Sequence, residues 1–215
     1  MQLLTRFLRI FFHLLYHSFA WAYDLVAWTV SLGRWKDWVE CVVPFIEGTR
    51  VLELGHGPGH LQRILQDLSL FAVGLDESRQ MGYLAKRRLL GNGYTQINLA
   101  RGLAQSLPFP IGSFDTVIST FPSEYIFEQS TLLEARRVLT NGGRLIVLPA
   151  AWITGKSTLE RLMSWLFRFT GQTPSDPLEK VKQKLSQPVA SAGFQVEIRQ
   201  VEVKSSLVLI LIGTK

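Results

Sequence analysis

The first residues whose types and spacing suggest a binding site are an acid and three glycines, which lie between a short apolar run and the start of a predicted helix. Residues 51–61 read V-L-E-L-G-H-G-P-G-H-L, so Glu53 is followed by glycines at positions 55, 57 and 59. A dinucleotide-binding turn has the spacing G-x-G-x-x-G, which would place its third glycine at position 60, where this chain has His60. The pattern disfavours a dinucleotide turn and leaves two alternatives, a different nucleoside-binding loop and a plain tight turn.

A second chemical group, Asp76, follows Gly55 at a distance of 21 residues and ends the next apolar run. An acid at this point can bond both ribose hydroxyls of a nucleoside that lies at the carboxyl ends of a parallel sheet. The loop and the acid together favour a nucleoside-containing ligand.

Four segments resemble the class I S-adenosylmethionine-dependent methyltransferases. The pattern E-x-G-x-G-x-G resembles motif I of that family, and residues 76–85 resemble its D-x-S-x-x-M-x-x-x-A. Residues 102–115 resemble G-D-A-x-x-L-P-F-x-x-x-S-F-D, and residues 137–145 resemble R-V-L-x-x-G-G-x-L. The resemblance runs from about residue 23 to residue 148 and extends more loosely to the C-terminus.

The resemblance implies that S-adenosyl-L-methionine is the cofactor. The residues that it implies in cofactor binding are Glu53, Gly55, His56, Gly57, Gly59, Asp76, Glu77, Met81, Ala104, Gln105 and Thr120. One position departs from the pattern: Leu103 replaces the family's usual acid, which accepts a hydrogen bond from the adenine amino group. Adenine recognition is then expected to fall to backbone groups around Ala104 and Gln105.

Two segments near the N-terminus look like the start of the ubiquinone and menaquinone biosynthesis methyltransferases. They are Y-D-L at 23–25 and S-L-G-R-W-K-D-W at 31–38. This resemblance implies an amphiphilic or lipid-like methyl acceptor, with a quinone-type ring as one candidate. Methyl transfer is an in-line displacement in which alignment supplies much of the rate, so a base is needed only if the acceptor must lose a proton. The candidates for that base are Glu124, Tyr125, Tyr23 and Asp24.

The elements that must position these residues alternate between strand and helix from Arg50 onward. We predict strands at 51–54, 71–75, 97–101, 114–119 and 144–148, helices at 61–68, 78–90 and 128–138, and a turn at Gly142-Gly143. Two final strands at 195–203 and 207–214 form a hairpin. The fold class is therefore α/β: a Rossmann-like, doubly wound, mostly parallel seven-stranded sheet with a C-terminal antiparallel hairpin and apolar N-terminal helices.

Residues 1–32 form a predicted apolar helical segment, ahead of a methyltransferase domain at 33–215 with a helical insertion at about 151–177. The N-terminal segment carries Arg6 and Arg9 and has no acid before Asp24. It suits a helix in the membrane interface or a lid over the site, whereas His13, His17 and Asp24 count against a spanning helix. The apolar helix predicted at 157–169 suits a core helix, a substrate lid or a second membrane-touching surface.

Composition narrows the remaining function classes. The 215 residues carry a net charge of +6, but no run of five basic residues occurs, so we expect no nucleic-acid partner. Cys41 is the only cysteine, which excludes an intramolecular disulfide, and His13 and His17 lack a third ligand, so we expect no metal. We expect a cytoplasmic protein, peripheral on the inner face of a membrane if the N-terminus binds lipid. The alternative function is a catalytically silent, membrane-associated adaptor that keeps the fold.

Overall fold

The structure is a computed structural model of the 215-residue chain, and it describes residues 28–29, 31–154 and 178–215. Several sequence-based predictions lie outside these residues. They are most of the N-terminal segment, including Tyr23 and Asp24, and the apolar helix at 157–169.

One seven-stranded sheet, in the order β3-β2-β1-β4-β5-β7-β6, organises the described residues. Its strands are β1 (Arg50–Leu54), β2 (Phe71–Asp76), β3 (Leu99–Arg101), β4 (Phe114–Thr120), β5 (Leu139–Ile153), β6 (Gln195–Val203) and β7 (Ser206–Thr214). The first five strands are parallel, and β7 pairs antiparallel with β5 and β6. The predicted α/β class, strand number and terminal hairpin are confirmed.

Helices cover both faces of this sheet. They are α1 (Trp35–Glu40), α2 (His60–Asp67), α3 (Arg79–Gly91), α4 (Gln129–Val138) and α5 (Leu178–Ser191). Residues of α1 and α2 share an apolar cluster with Val51, Ile118 and Ile146, whereas α4 and α5 share the other cluster with Leu52 and Leu145. Because strand side chains alternate between faces, Glu53 is on the same face as Val51, the face covered by α1 and α2.

The chain leaves β1 toward β2 and β3 and then returns to place β4 on the other side of β1. This reversal leaves a crevice at the carboxyl ends of β1 and β4, the usual ligand position in an open α/β sheet. None of the helices formed by the described residues has the length and apolar character that crossing a bilayer requires.

Two predicted strands differ from the structure. β3 is three residues long and begins at Leu99 rather than at residue 97. β5 extends well beyond the predicted 144–148, and the predicted turn at Gly142-Gly143 is a register irregularity within it. Gly142 has φ +77°, and its N–H donates to the carbonyl of Lys215, so the chain bulges there and continues as a strand. Residues 151–153, at the start of the predicted insertion, are the end of β5.

The short helix α1 is held by two contacts in its first turn. The Ser31 hydroxyl accepts from the Trp35 N–H at 3.0 Å, and Asp37 pairs with Lys204 of the β6–β7 turn at 2.7 Å. Trp38 and Val39 are buried against the sheet. These contacts hold α1 beside the crevice despite its six-residue length.

Candidate cofactor and acceptor site

The glycine loop between β1 and α2 is built from three left-handed residues. Gly55, Gly57 and Gly59 have φ values of +70°, +51° and +81°. A Cβ at Gly59 would lie 2.9 Å from the Cβ of Ala85 on α3, whereas one at Gly57 would meet nothing within 4 Å. The third glycine therefore permits close helix packing, and the middle one leaves open space above the loop.

Asp76 connects this loop to the start of α3. Its Oδ2 accepts from the Gly57 N–H at 2.9 Å and its Oδ1 accepts from the Ser78 N–H at 2.8 Å. Ser78 is the N-cap of α3, since its hydroxyl accepts from the Met81 N–H. Each carboxylate oxygen of Asp76 keeps a second acceptor position, so ribose binding is compatible with these bonds.

Glu53 and Gln62 form a buried polar pair behind the loop. Glu53 is 1% exposed, and its Oε2 accepts from Gln62 Nε2 at 2.8 Å. Burial raises the pKa of Glu53 to about 8, the Gln62 hydrogen bond lowers it, and the nearby Asp76 charge raises it. Gln62 Oε1 is buried without a hydrogen-bond partner, so the pair has acceptor capacity left for a ligand or water.

His56 is buried within the loop rather than exposed on the turn. Its Nδ1 lies 2.7 Å from the Gly57 carbonyl, which can only accept, so Nδ1 carries the proton. Burial lowers the pKa of His56, and the charge of Asp76 opposes that effect. Burial therefore favours the neutral imidazole of His56, with its proton on Nδ1.

A pocket with about 320 Å³ of empty space, part of it open to solvent, lies between the glycine loop and α1. Five residues predicted from the sequence line it: Glu53, Gly55, His56, Gly57 and Thr120. The pocket is completed by Trp35, Val39, Pro58 and His60, of which sequence reasoning assigned none to a site. The aromatic segment at 35–38, just ahead of β1, was the available signal for Trp35.

Phe121, directly after Thr120, has an unusual backbone conformation. Its φ is +50°, a left-handed value that costs a bulky residue on the order of 1–3 kcal/mol. The Phe121 N–H donates to the Leu148 carbonyl at 2.7 Å, and its ring stacks on Trp35 with centroids 4.3 Å apart. Pairing and stacking thus hold a strained residue at the edge of the pocket.

Comparison with known proteins is consistent with this architecture. Residues 52–147 match the family model described as a methyltransferase domain. A demethylmenaquinone methyltransferase of Symbiobacterium thermophilum is 33% identical over 147 residues, which cover 64% of this chain and 58% of that protein. The corresponding protein of Thermotoga maritima is 33% identical over 140 residues, covering 62% and 59% respectively. The chain thus spans less than two thirds of the length of these relatives.

Solved structures show the same fold at low identity. A SAM-dependent methyltransferase from Aquifex aeolicus has a TM-score of 0.60 at 19% identity, covering 84% of this chain and 92% of that one. Phosphoethanolamine N-methyltransferase 2 of Haemonchus contortus, in complex with S-adenosylhomocysteine, has a TM-score of 0.59 at 16% identity, covering 85% and 53%. The chain therefore shares the fold of SAM-dependent methyltransferases, and residues 52–147 match a methyltransferase domain.

The glycine loop fits S-adenosylmethionine, the cofactor that the sequence motifs imply. The open space above Gly57 is a cradle that a side chain at that position would fill, and the loop leads into the amino end of α2. A helix N-terminus with a glycine entrance suits an anionic group such as the methionine carboxylate. Glu53, with its partly satisfied partner Gln62, and Asp76 offer acceptors on either side of the loop.

The other predicted cofactor residues lie toward β3, and their contact with adenine stays a prediction. Met81 is fully buried under the start of α3, Ala104 is buried, and Glu77 is exposed. Gln105 donates its side-chain amide to Glu128 at 2.8 Å. Leu103, at the position of the missing acid, is 54% exposed and leaves an apolar surface there.

The two described candidates for the base occupy different places. Tyr125 lies beside the glycine loop without lining the pocket: its hydroxyl donates to the Leu54 carbonyl at 3.2 Å, and a Cβ at Gly55 would collide with it. Ser119 Oγ lies 3.3 Å from the same hydroxyl. Glu124 is exposed at the start of a short 3-10 helix and does not line the pocket.

Among the described residues, no three His, Cys, Asp or Glu side chains form a metal-binding group.

Proposed function

We propose that this protein transfers a methyl group from S-adenosylmethionine to an amphiphilic small molecule, with a quinol-type ring as the candidate acceptor. The observation that carries the proposal is the open glycine loop flanked by Glu53 and Asp76 and continuous with a pocket whose opposite side is α1. The names of the quinone-pathway relatives and the apolar composition of residues 1–32 support the choice of acceptor class.

The chain's residues would bind and orient the cofactor, which supplies an electrophilic methyl group when bound. Glu53 is placed to accept from the methionine ammonium, and the amino end of α2 faces the carboxylate. Asp76 would accept from the ribose hydroxyls while it holds Gly57 and Ser78. These groups belong to three separate elements, β1, β2 and α2, which hold them in fixed positions. They would thus supply the alignment on which methyl transfer depends.

Of the base candidates predicted from the sequence, the contacts favour Tyr125. Its hydroxyl is held by Leu54 and Ser119 over the loop, so it can orient an acceptor hydroxyl or relay a proton there. Glu124 would have to leave solvent to take part. Tyr23 remains a candidate from the sequence alone.

A membrane surface is the proposed source of the acceptor. Residues 1–20 contain Arg6 and Arg9, no Asp or Glu, and a dense series of Leu and Phe. Such a composition suits adsorption to an anionic interface, where a lipid-like acceptor is dissolved.

The cofactor proposal is tested by titration with S-adenosylhomocysteine in a calorimeter. We expect binding by the full chain and its loss in Gly57→Arg, because that side chain would occupy the cradle. Gly112→Arg is the matched control: Gly112 also has a positive φ and open surroundings, but it lies at the amino end of β4. Binding of NAD without S-adenosylhomocysteine would contradict the proposal, and binding of neither would favour the adaptor.

A further inference from the structure

Trp35, which lines the pocket, belongs to a cluster of three aromatic rings from two distant parts of the chain. Trp35 of α1 stacks on Phe121 with an interplanar angle of 29°. Trp38 lies at a tilt to both, with centroids 6.4 Å from Trp35 and 6.1 Å from Phe121. Trp35 also lines the pocket, next to Val39 and Thr120.

This cluster is held in place from both sides. α1 is anchored by Ser31 and by the pair between Asp37 and Lys204. Phe121 is held in its left-handed conformation by the hydrogen bond to Leu148 on β5. A strained residue that the surrounding structure fixes beside a pocket is a common mark of a functional surface.

The chemistry of the pocket lining favours an uncharged acceptor. Trp35, Val39 and Pro58 are apolar, and Thr120 and His60 add small polar contacts. Glu53 is the only Asp, Glu, Lys or Arg among the described residues that line this pocket, and it is buried against Gln62 beside the loop. Within the described lining of the pocket, an ammonium or phosphate headgroup would therefore find no exposed counter-charge.

We propose that the stacked pair of Trp35 and Phe121 is the acceptor-recognition wall of this site and selects a planar aromatic ring over a saturated or cationic acceptor. This inference rests on the proposed methyltransferase function and deepens it by naming the residues that set acceptor specificity. Aromatic surfaces gain from parallel or edge contacts with another aromatic ring beyond the area that they bury. A wall fixed by two elements also holds such a ring in one orientation for in-line attack.

The test is equilibrium binding to the protein saturated with S-adenosylhomocysteine, which needs no turnover. The probes are 1,4-naphthohydroquinone under anaerobic conditions, the ring-saturated decahydronaphthalene-1,4-diol with the same two hydroxyls, and ethanolamine. We expect the aromatic diol to bind about two- to tenfold more tightly than the saturated diol, and more tightly than ethanolamine. Equal binding of the two diols, tighter binding of ethanolamine, or no binding of the aromatic diol would overturn the inference.

Two variants separate stacking from mere apolar contact. Trp35→Phe keeps an aromatic surface and should retain most of the preference for the aromatic diol. Trp35→Leu keeps an apolar side chain and should lose that preference. Trp28→Leu is the control, because Trp28 is 64% exposed and does not line the pocket.

The outcomes distinguish this inference from the proposed function. If the wild-type protein does not bind S-adenosylhomocysteine, both fail. If it binds the cofactor product and Trp35→Leu keeps the full preference, the specificity wall alone is wrong. Should Trp35→Leu not fold, the comparison of the three probes on the wild type and on Trp35→Phe decides the matter.

Discussion

At the scale of single residues, Glu53 is the group whose environment differs most from water. Its side chain lies near the carboxyl end of β1 and is 1% exposed. Gln62 donates a hydrogen bond to it, and Asp76 is a neighbouring negative charge. Because its pKa is raised to about 8, Glu53 keeps a proton in the folded protein at neutral pH, whereas the unfolded chain releases it. The free energy of folding therefore depends on pH.

We predict that Glu53→Gln removes a pH-dependent loss of stability. Between the ordinary pKa of 4.5 and about 8, the folded state holds a proton that the unfolded state has released. The contribution of this group is therefore fully present below pH 4.5 and is lost as the pH rises through 8. Relative to the wild type, the variant should gain on the order of 2–4 kcal/mol in unfolding free energy between pH 5 and pH 8.5. Urea unfolding followed by circular dichroism measures this difference.

Glu134→Gln provides a control of opposite sign. The side-chain hydrogen bond from Arg137 holds the pKa of Glu134 below its usual range. Its stabilising contribution is present above the ordinary pKa and is lost as the pH falls through the lowered one. The variant should therefore be weakened more at pH 8.5 than at pH 4, and the same trend in both variants would contradict the assignment of Glu53.

Some motif residues that carry the resemblance proved to be structural. Asp115 accepts from the backbone N–H groups of Thr49 and Arg50 and pairs with the Arg50 side chain, at the end of the sheet remote from the pocket. Arg137 donates to the carbonyls of Leu107 and Phe109 and so fixes the loop before β4. A motif records which residues occur together, but only the fold separates those that touch a ligand from those that hold the loops.

At the scale of elements, the packing of α2 on α3 depends on the glycine loop. Gly59 is the left-handed residue at the start of α2, and the Arg88 side chain of α3 donates to the Pro58 carbonyl. The two helices therefore meet at this loop. A change there alters the position of the cofactor cradle.

We predict that Gly59→Ala is more destabilising than Gly57→Ala. Both substitutions place a Cβ on a left-handed residue, which costs roughly 1–2 kcal/mol. Only at Gly59 would the Cβ also press on Ala85, at 2.9 Å from its Cβ and 3.0 Å from its Cα. Chemical unfolding should show an additional loss of about 1 kcal/mol for Gly59→Ala. Partial recovery in the double variant with Ala85→Gly would locate the cause, and equal losses at the two glycines would contradict it.

The elements were predictable where burial or turn chemistry dominates. β2 and β7 are nearly continuous apolar runs, as expected for strands covered on both faces, and α3 begins at Arg79, one residue after the predicted start. β5 was misjudged because Gly142-Gly143 has the composition of a turn, and only pairing with β4 and with Lys215 makes it a bulge. The contact of Trp35 with Phe121 joins residues 86 positions apart and depends on the sheet order, so no local pattern reveals it.

At the scale of the whole molecule, the sheet order places the cofactor loop, the aromatic wall and α1 at the carboxyl ends of the internal strands β1 and β4. Residues 1–34 precede α1, which forms one side of the pocket. An apolar N-terminal segment that binds an interface would thus bring the acceptor pocket close to the lipid surface. On this proposal, membrane binding by residues 1–20 is separable from cofactor binding by the glycine loop.

We predict that removal of residues 1–20 shifts the protein from vesicle-bound to free without loss of S-adenosylhomocysteine binding. The deleted segment carries most of the N-terminal Leu and Phe residues and both Arg6 and Arg9, so apolar insertion and attraction to anionic headgroups are lost together. Sedimentation with vesicles of phosphatidylcholine and phosphatidylglycerol, compared with phosphatidylcholine alone, measures the shift. Ile111→Ser, which removes an apolar side chain 75% exposed in the described domain, is the control and should sediment like the wild type. Unchanged sedimentation of the truncated protein would exclude residues 1–20 as the anchor and direct the search to other apolar surfaces.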